Sequence, residues 1–235
     1  RRDNLTVSLF RTKLANSFDE FGRPVRGRAV DQYLLSIGGT VSFGKQLKWP
    51  DDFFNLITSV NYTQYKLRNY KIFQDLDSSG VSNNLNLRIQ VVRSSVDQPL
   101  FPRSGSNLTF TATFTPPYSF FGDAARYKNP SEKYKLVEYH KWRLNYEWFV
   151  PIGKPMGAEK NRQFVLRASA KFGFVGRYHK DLTISPFERF QVGDAGLQNN
   201  FGIIGYDIIA HRGFPVYDNS NPTVNNASQS SAQNF

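Results

Sequence analysis

The chain has 235 residues, a net charge of +11 and a mean hydropathy of −0.48, which is room for one large all-β domain or two small ones. It has no cysteine and only three histidines, without ligand-like spacing, which excludes a disulfide framework, a thiolate metal site and a Cys nucleophile. Its basic residues are spread out rather than gathered in a stripe on a known module, so nucleic acid is not an expected partner.

No apolar run approaches the roughly 18 residues of a transmembrane helix. The opening "RRDNLTVSLF" has too short an apolar region and no cleavage site for a signal peptide, so the chain reads as a mature protein or a piece of one. From there the pattern has period two, with successive side chains on opposite faces of a strand. Leu5, Val7 and Leu9 alternate with Thr6 and Ser8. Tyr33, Leu35, Ile37, Val41 and Phe43 alternate with Ser36, Thr40 and Ser42. Phe54, Leu56, Val60 and Tyr62 alternate with Asn55, Ser59, Asn61 and Thr63. Leu85, Leu87, Ile89 and Val91 alternate with Asn84, Asn86, Arg88 and Gln90.

Ser106–Thr115 is the cleanest case, with Leu108, Phe110, Ala112 and Phe114 opposing Asn107, Thr109, Thr111 and Thr113. Lys133–Val150 sets Trp142, Leu144, Tyr146, Trp148 and Val150 against Lys141, Arg143, Asn145 and Glu147. Arg162–Arg177 sets Phe164, Leu166, Ala168, Ala170, Phe172 and Phe174 against Arg167, Ser169, Lys171 and Arg177. "NLT" at Asn4 and Asn107 matches a glycosylation acceptor by chance, because both fall in strand patterns.

Alternation alone does not say which face points inward. Strand length does bear on it: these segments run about 10–17 residues, and a tilted membrane strand needs about 9–11 in hydrocarbon. Aromatic residues near strand ends (Tyr33, Phe43, Phe54, Tyr62, Trp142, Trp148) suit interfacial girdles. Connections also alternate. Gln46–Asp52, Asp97–Gly105 and Pro151–Asn161 are short; Asn16–Val30, Lys71–Ser82, Pro116–Glu132 and the stretch after Tyr178 are longer. Outer-membrane barrels keep short turns periplasmic and long loops outside. The predicted fold is therefore all-β, an antiparallel transmembrane β-barrel. About seven strands are too few for a closed barrel of this class, which has an even number and at least 8. The chain thus reads as an internal part of a larger barrel. Residues 1–180 form its strands, and 181–235 form a long loop with a polar, low-complexity end, "YDNSNPTVNNASQSSAQNF".

Three stretches carry a family resemblance: "PFERFQVGD" (Pro186–Asp194), "GYDIIAHRGFP" (Gly205–Pro215), and "RSSVDQPLFPRSGSNLTFTATF" (Arg93–Phe114) two strand-pairs upstream. In order and spacing they resemble the Omp85 family of outer-membrane barrels. His211 stands where that family has an aliphatic residue, and Gly193-Asp194 where a Gly-Gly pair is common.

The resemblance implies a barrel of about 16 strands whose sixth extracellular loop folds into the lumen. Arg212, Gly213 and Phe214 would anchor that loop, supported by Phe187, Phe190, Gly193, Tyr206 and Asp207. An arginine taken out of water needs a carboxylate. The family's acids lie on downstream strands, and Glu147 is the local mid-strand candidate. Arg88, Lys141, Arg143, Arg167 and Lys171 make a basic lumen face that either is simply hydrated, holds the loop, or complements acids elsewhere. The implied function is an insertase in the bacterial outer membrane that folds other barrel proteins through a lateral seam, with no cofactor and no enzymatic chemistry. Its expected partners are outer-membrane lipid, nascent β-barrel proteins and accessory lipoproteins of an assembly complex. The alternatives are another Omp85 member, such as a TamA-like factor or a two-partner secretion transporter, and a passive channel. The Glu138 and His140 pair is an ordinary i, i+2 strand pair rather than a catalytic one.

Overall fold

The computed structural model describes residues 3–15, 33–68, 79–121, 135–157, 162–179, 184, 188–194 and 207–215. Seven long strands form one antiparallel sheet in sequence order: β1 (Asp3–Ala15), β2 (Tyr33–Gln46), β3 (Phe54–Arg68), β4 (Gly80–Ser94), β5 (Gly105–Phe114), β6 (His140–Met156) and β7 (Arg162–Gly176). The sheet is open, with β1 and β7 at its edges. Two short strands, β8 (Phe190–Asp194) and β9 (Asp207–Pro215), pair in parallel. They lie in the stretch predicted as loop. The polar end after Pro215 lies outside the described residues.

The register settles which residues share a face. Ser36 pairs with Tyr65, and Tyr65 with Ser82. Ser59 pairs with Arg88, Arg88 with Thr113, and Thr113 with Lys141. The predicted polar positions therefore lie on one continuous face, as period-two alternation requires.

Burial on the two faces is the reverse of a soluble sheet. On β2, Ser36 is 0% exposed, whereas Val41 is 50% exposed and Phe43 47%. Val60, Trp148, Phe164, Leu166 and Phe172 are all at least half exposed on the apolar face. Soluble proteins bury such residues. A sheet that shows apolar side chains and covers polar ones matches a barrel wall with a polar interior.

The cover comes from chain segments at the long-connection end. β5 pairs only with Leu87–Ser94 of β4, so the first half of β4 has no β5 partner. Residues 135–139, predicted as the start of a long strand, bridge this edge instead. Leu136 pairs in parallel with Asn83, whose N–H donates to the Lys135 carbonyl and whose carbonyl accepts from the Val137 N–H. The strand proper begins at His140 and runs past Val150, through Pro151, to Met156. Tyr139 is then held by reciprocal bonds with Thr115. Val137 and Tyr139 join Leu34, Tyr65 and Leu67 as the buried apolar cluster on the polar face.

The short-turn end is tied by Arg93. Its guanidinium meets Asp51 at 2.9 Å and donates to the Ser95 and Ser106 hydroxyls, both at 2.8 Å. This joins the β2–β3 turn to the β4–β5 turn. Gly105, at φ +104°, closes the second turn so tightly that a Cβ there would sit 2.2 Å from the Ser95 carbonyl oxygen.

Candidate functional site

The polar face holds a recess of about 340 Å³ where β3, β4, β5 and β6 meet the loop residue Glu188. Its walls are Asn61, Asn84, Asn86, Gln90, Thr111 and Thr113, with Arg88, Lys141 and Arg143 as the cations. These positions follow from the register: Arg88, Thr113 and Lys141 form one cross-strand row, and Gln90, Thr111 and Arg143 the next.

Glu188 enters this recess from the segment just before β8. Its carboxylate accepts a 2.7 Å bond from the Asn84 amide and hydrogen-bonds the Tyr139 hydroxyl. It also faces the Lys141 ammonium at 3.7 Å, with side-chain exposures of 8% for Lys141 and 13% for Glu188. Behind Asn84 stand two more amides. Asn61 donates to Asn86 at 2.8 Å, and Asn86 donates to Asn84 at 3.1 Å. All three amides thus donate in one direction, toward the carboxylate. Such a chain polarises itself and strengthens its last bond.

Phe190 completes the dock. Its ring lies against the backbone of Gly173 on β7, where an added Cβ would come within 2.8 Å of it. The Lys141 ammonium sits 4.8 Å from the ring centroid, a cation–π contact. Gly173 leaves the space that Phe190 fills. The same device recurs on β2, where Phe10 lies over Gly38.

Of the basic face read from the sequence, Arg88, Lys141 and Arg143 gather at the recess. Arg167 and Lys171 lie farther along that face on β7, opposite Phe149 and Asn145. Arg167 pairs with Glu147 and stacks near Phe149. The carboxylate considered for Arg212 is therefore engaged by Arg167. His140 is not set up with Glu138: its Nδ1 accepts from Trp142, while Glu138 accepts from the Ser119 hydroxyl.

The loop tip is seen through its backbone. β8 and β9 pair from Phe190–Asp207 to Gly193–Ala210, and the register then jumps to Asp194–Pro215. His211, Arg212, Gly213 and Phe214 fall in that jump, and Gly213 takes φ +85°. Gly193 is buried within β8. The side chains of Arg212, Phe214 and Asp207, and residues Phe187 and Tyr206, lie outside the described residues.

Sequence reading missed Glu188, although it singled out the segment that carries it. The available signal was a lone carboxylate between two aromatics, facing a wall of arginine and lysine. Among the described residues no group of His, Asp and Glu could hold a metal ion.

The sequence matches the Omp85 superfamily domain over residues 3–201. No curated protein matches it. Among solved structures, it is similar to BamA from Haemophilus ducreyi lacking POTRA domains 1–3, with a TM-score of 0.54 at 15% identity. The likeness covers 83% of this chain and 34% of that one, so this chain spans about a third of that relative's length. At that identity the likeness speaks for the fold, the BamA type of β-barrel. With most of its length matched by the family domain, the chain belongs to the Omp85 superfamily.

Proposed function

We propose that this chain forms wall and lumen loop of a bacterial outer-membrane insertase, which folds and inserts other β-barrel proteins without a nucleotide. The apolar face meets lipid and the polar face lines the lumen. The observation that supports the reading is the docking of Glu188 and Phe190 onto the polar face, as expected of a loop that enters the lumen. In such a protein the exposed edge of an opened seam would template an incoming strand through main-chain hydrogen bonds. Accessory lipoproteins are the expected partners of the full-length protein.

The test is depletion of the full-length protein in its own cells. The expected result is loss of other barrel proteins from the outer membrane. Normal levels of those proteins would sink the insertase reading and leave a TamA-like factor or a two-partner secretion transporter. Large, steady conductance in planar bilayers would instead favour a passive channel.

A further inference from the structure

We propose that the sheet binds the phosphate headgroup of an anionic lipid at the long-connection end of its apolar face. Three cations gather there: Arg11 and Lys13 on β1 and Lys66 on β3, all exposed. Alternation puts Arg11 and Lys13 on the face of Leu5, Val7 and Leu9, and Lys66 on the face of Val60 and Tyr62. Lys13 and Lys66 are both register partners of Leu35, from its two sides. At the usual strand spacing their Cα atoms are roughly 10 Å apart, and Arg11 is about 7 Å back along β1. The three long side chains can therefore meet over one group. The Lys13 ammonium already leans over β2, 4.7 Å from the centre of the Tyr33 ring.

Charge and shape together select a lipid. Strands β1–β4 hold one acid, Asp3, and it lies at the opposite end of the face, in register with Lys45. Arg93, also at that end, meets Asp51. Acid thus accompanies the cations at the short-turn end, while the strands bring only cations to the long-connection end. Toward the middle of the sheet the rows turn apolar. Arg11 shares its row with Ile37 and Gln64; the next rows are Leu9, Gly39 and Tyr62, then Val7, Val41 and Val60. Gly39 makes a low point that Leu9 leans into, since a Cβ there would sit 2.9 Å from the Leu9 Cδ2. A free phosphate would leave this apolar surface unused, whereas a lipid lays its acyl chains along it and its phosphate among the cations. Lysine and arginine near a membrane surface attract anionic headgroups, and the Arg11 fork adds paired hydrogen bonds to phosphate. The inference rests on the reading that the apolar face meets lipid.

The test uses the full-length protein in phosphatidylcholine nanodiscs doped with diphosphoryl lipid A as the probe, or with its dephosphorylated form. Retained lipid is counted by native mass spectrometry after transfer to detergent. The diphosphoryl form should be retained in preference. Arg11→Gln, Lys13→Gln and Lys66→Gln should each lower that preference about fivefold. The double variant Lys13→Arg, Lys66→Arg keeps the charge and should preserve it. Lys45→Gln, on the same face at the other end, should change nothing. Equal retention of the two lipids overturns the proposal, as does an unchanged preference in all three glutamine variants. So does an equal loss in the Lys45 variant, which would reduce the effect to diffuse charge. Entry into the discs, with heat-modifiable mobility on gels, reports separately on the lipid-facing reading. A protein that enters but shows no preference overturns this proposal alone; one that stays out overturns both.

Discussion

The Glu188–Lys141 contact makes a quantitative prediction about the loop. Both side chains are nearly buried, at 3.7 Å. Removing one member of such a pair strands the other charge, at a cost of about 3–5 kcal/mol when fully buried. Here Lys141 keeps the Phe190 ring at 4.8 Å, a contact worth about 1 kcal/mol. Glu188→Gln and Lys141→Met should therefore each destabilise the docked loop by about 2–3 kcal/mol. In an opening equilibrium that is roughly 30- to 150-fold. The double variant removes both charges and should cost about as much as one single change, a coupling of about 2 kcal/mol. The assay is hydrogen exchange on the amides of Phe190–Asp194 in the full-length protein, which reports local opening. Exchange unchanged in both single variants, or a double effect equal to the sum of the singles, would refute the argument.

Three further outcomes follow from local geometry. Gly173→Ala puts a methyl group within 2.8 Å of the Phe190 ring, and should loosen the same amides by about 1–3 kcal/mol; replacing Phe190 by a smaller Leu in that background should restore part of their protection. Gly105→Ala meets both a positive φ and the Ser95 carbonyl at 2.2 Å; heat-modifiability on gels should show a barrel that folds poorly, while Gly80→Ala, with nothing within 4 Å, should fold normally. Asp97, in the β4–β5 turn, accepts from the Arg103 and Ser104 backbone N–H groups, which hold its carboxyl below the usual carboxylate range. Its folded value is depressed, so its stabilisation is present above the unfolded value of about 3.9 and lost as pH falls through the folded one. Asp97→Asn should remove this acid-side dependence from thermal melts; an unchanged acid limb would show that the turn bonds contribute nothing.

Strands were legible because their alternation is local. Ser106 to Phe114 names its own two faces, and the sheet uses them as read. Which residues cover the polar face was not legible, because that depends on segments far away in sequence. Asn84 and Glu188 are 104 residues apart, and no pattern around either one announces the other. Residues 135–139 mislead for a related reason. They run directly into the strand that follows, but β5 stops at Phe114 and leaves the start of β4 open, and a free edge recruits whatever backbone passes it. At the loop, Glu188 lies outside the Arg-Gly-Phe motif on which the resemblance centres. An arginine in a lumen invites a search for carboxylates on the wall, whereas this wall supplies cations and the loop supplies the acid.

That arrangement has an energetic consequence. Apolar contacts would hold a loop in a barrel until a large area was returned to water. The Glu188 dock is mostly polar, and its partners can be replaced by water as the loop leaves. Each neutral hydrogen bond then contributes only about 0.5–1.5 kcal/mol net. The relay from Asn61 through Asn86 to Asn84 stays on the wall when the loop departs, because all three residues belong to β3 and β4. Among the described residues, the last bond, the Tyr139 bond, the Lys141 pair and the Phe190 contact are exchanged. Among the described residues the contacts of the loop with the wall are thus mostly polar. On the proposed insertase reading, a barrel that opens its seam is served by a polar dock of this kind: ordered at rest, yet releasable without unfolding the wall that carries it.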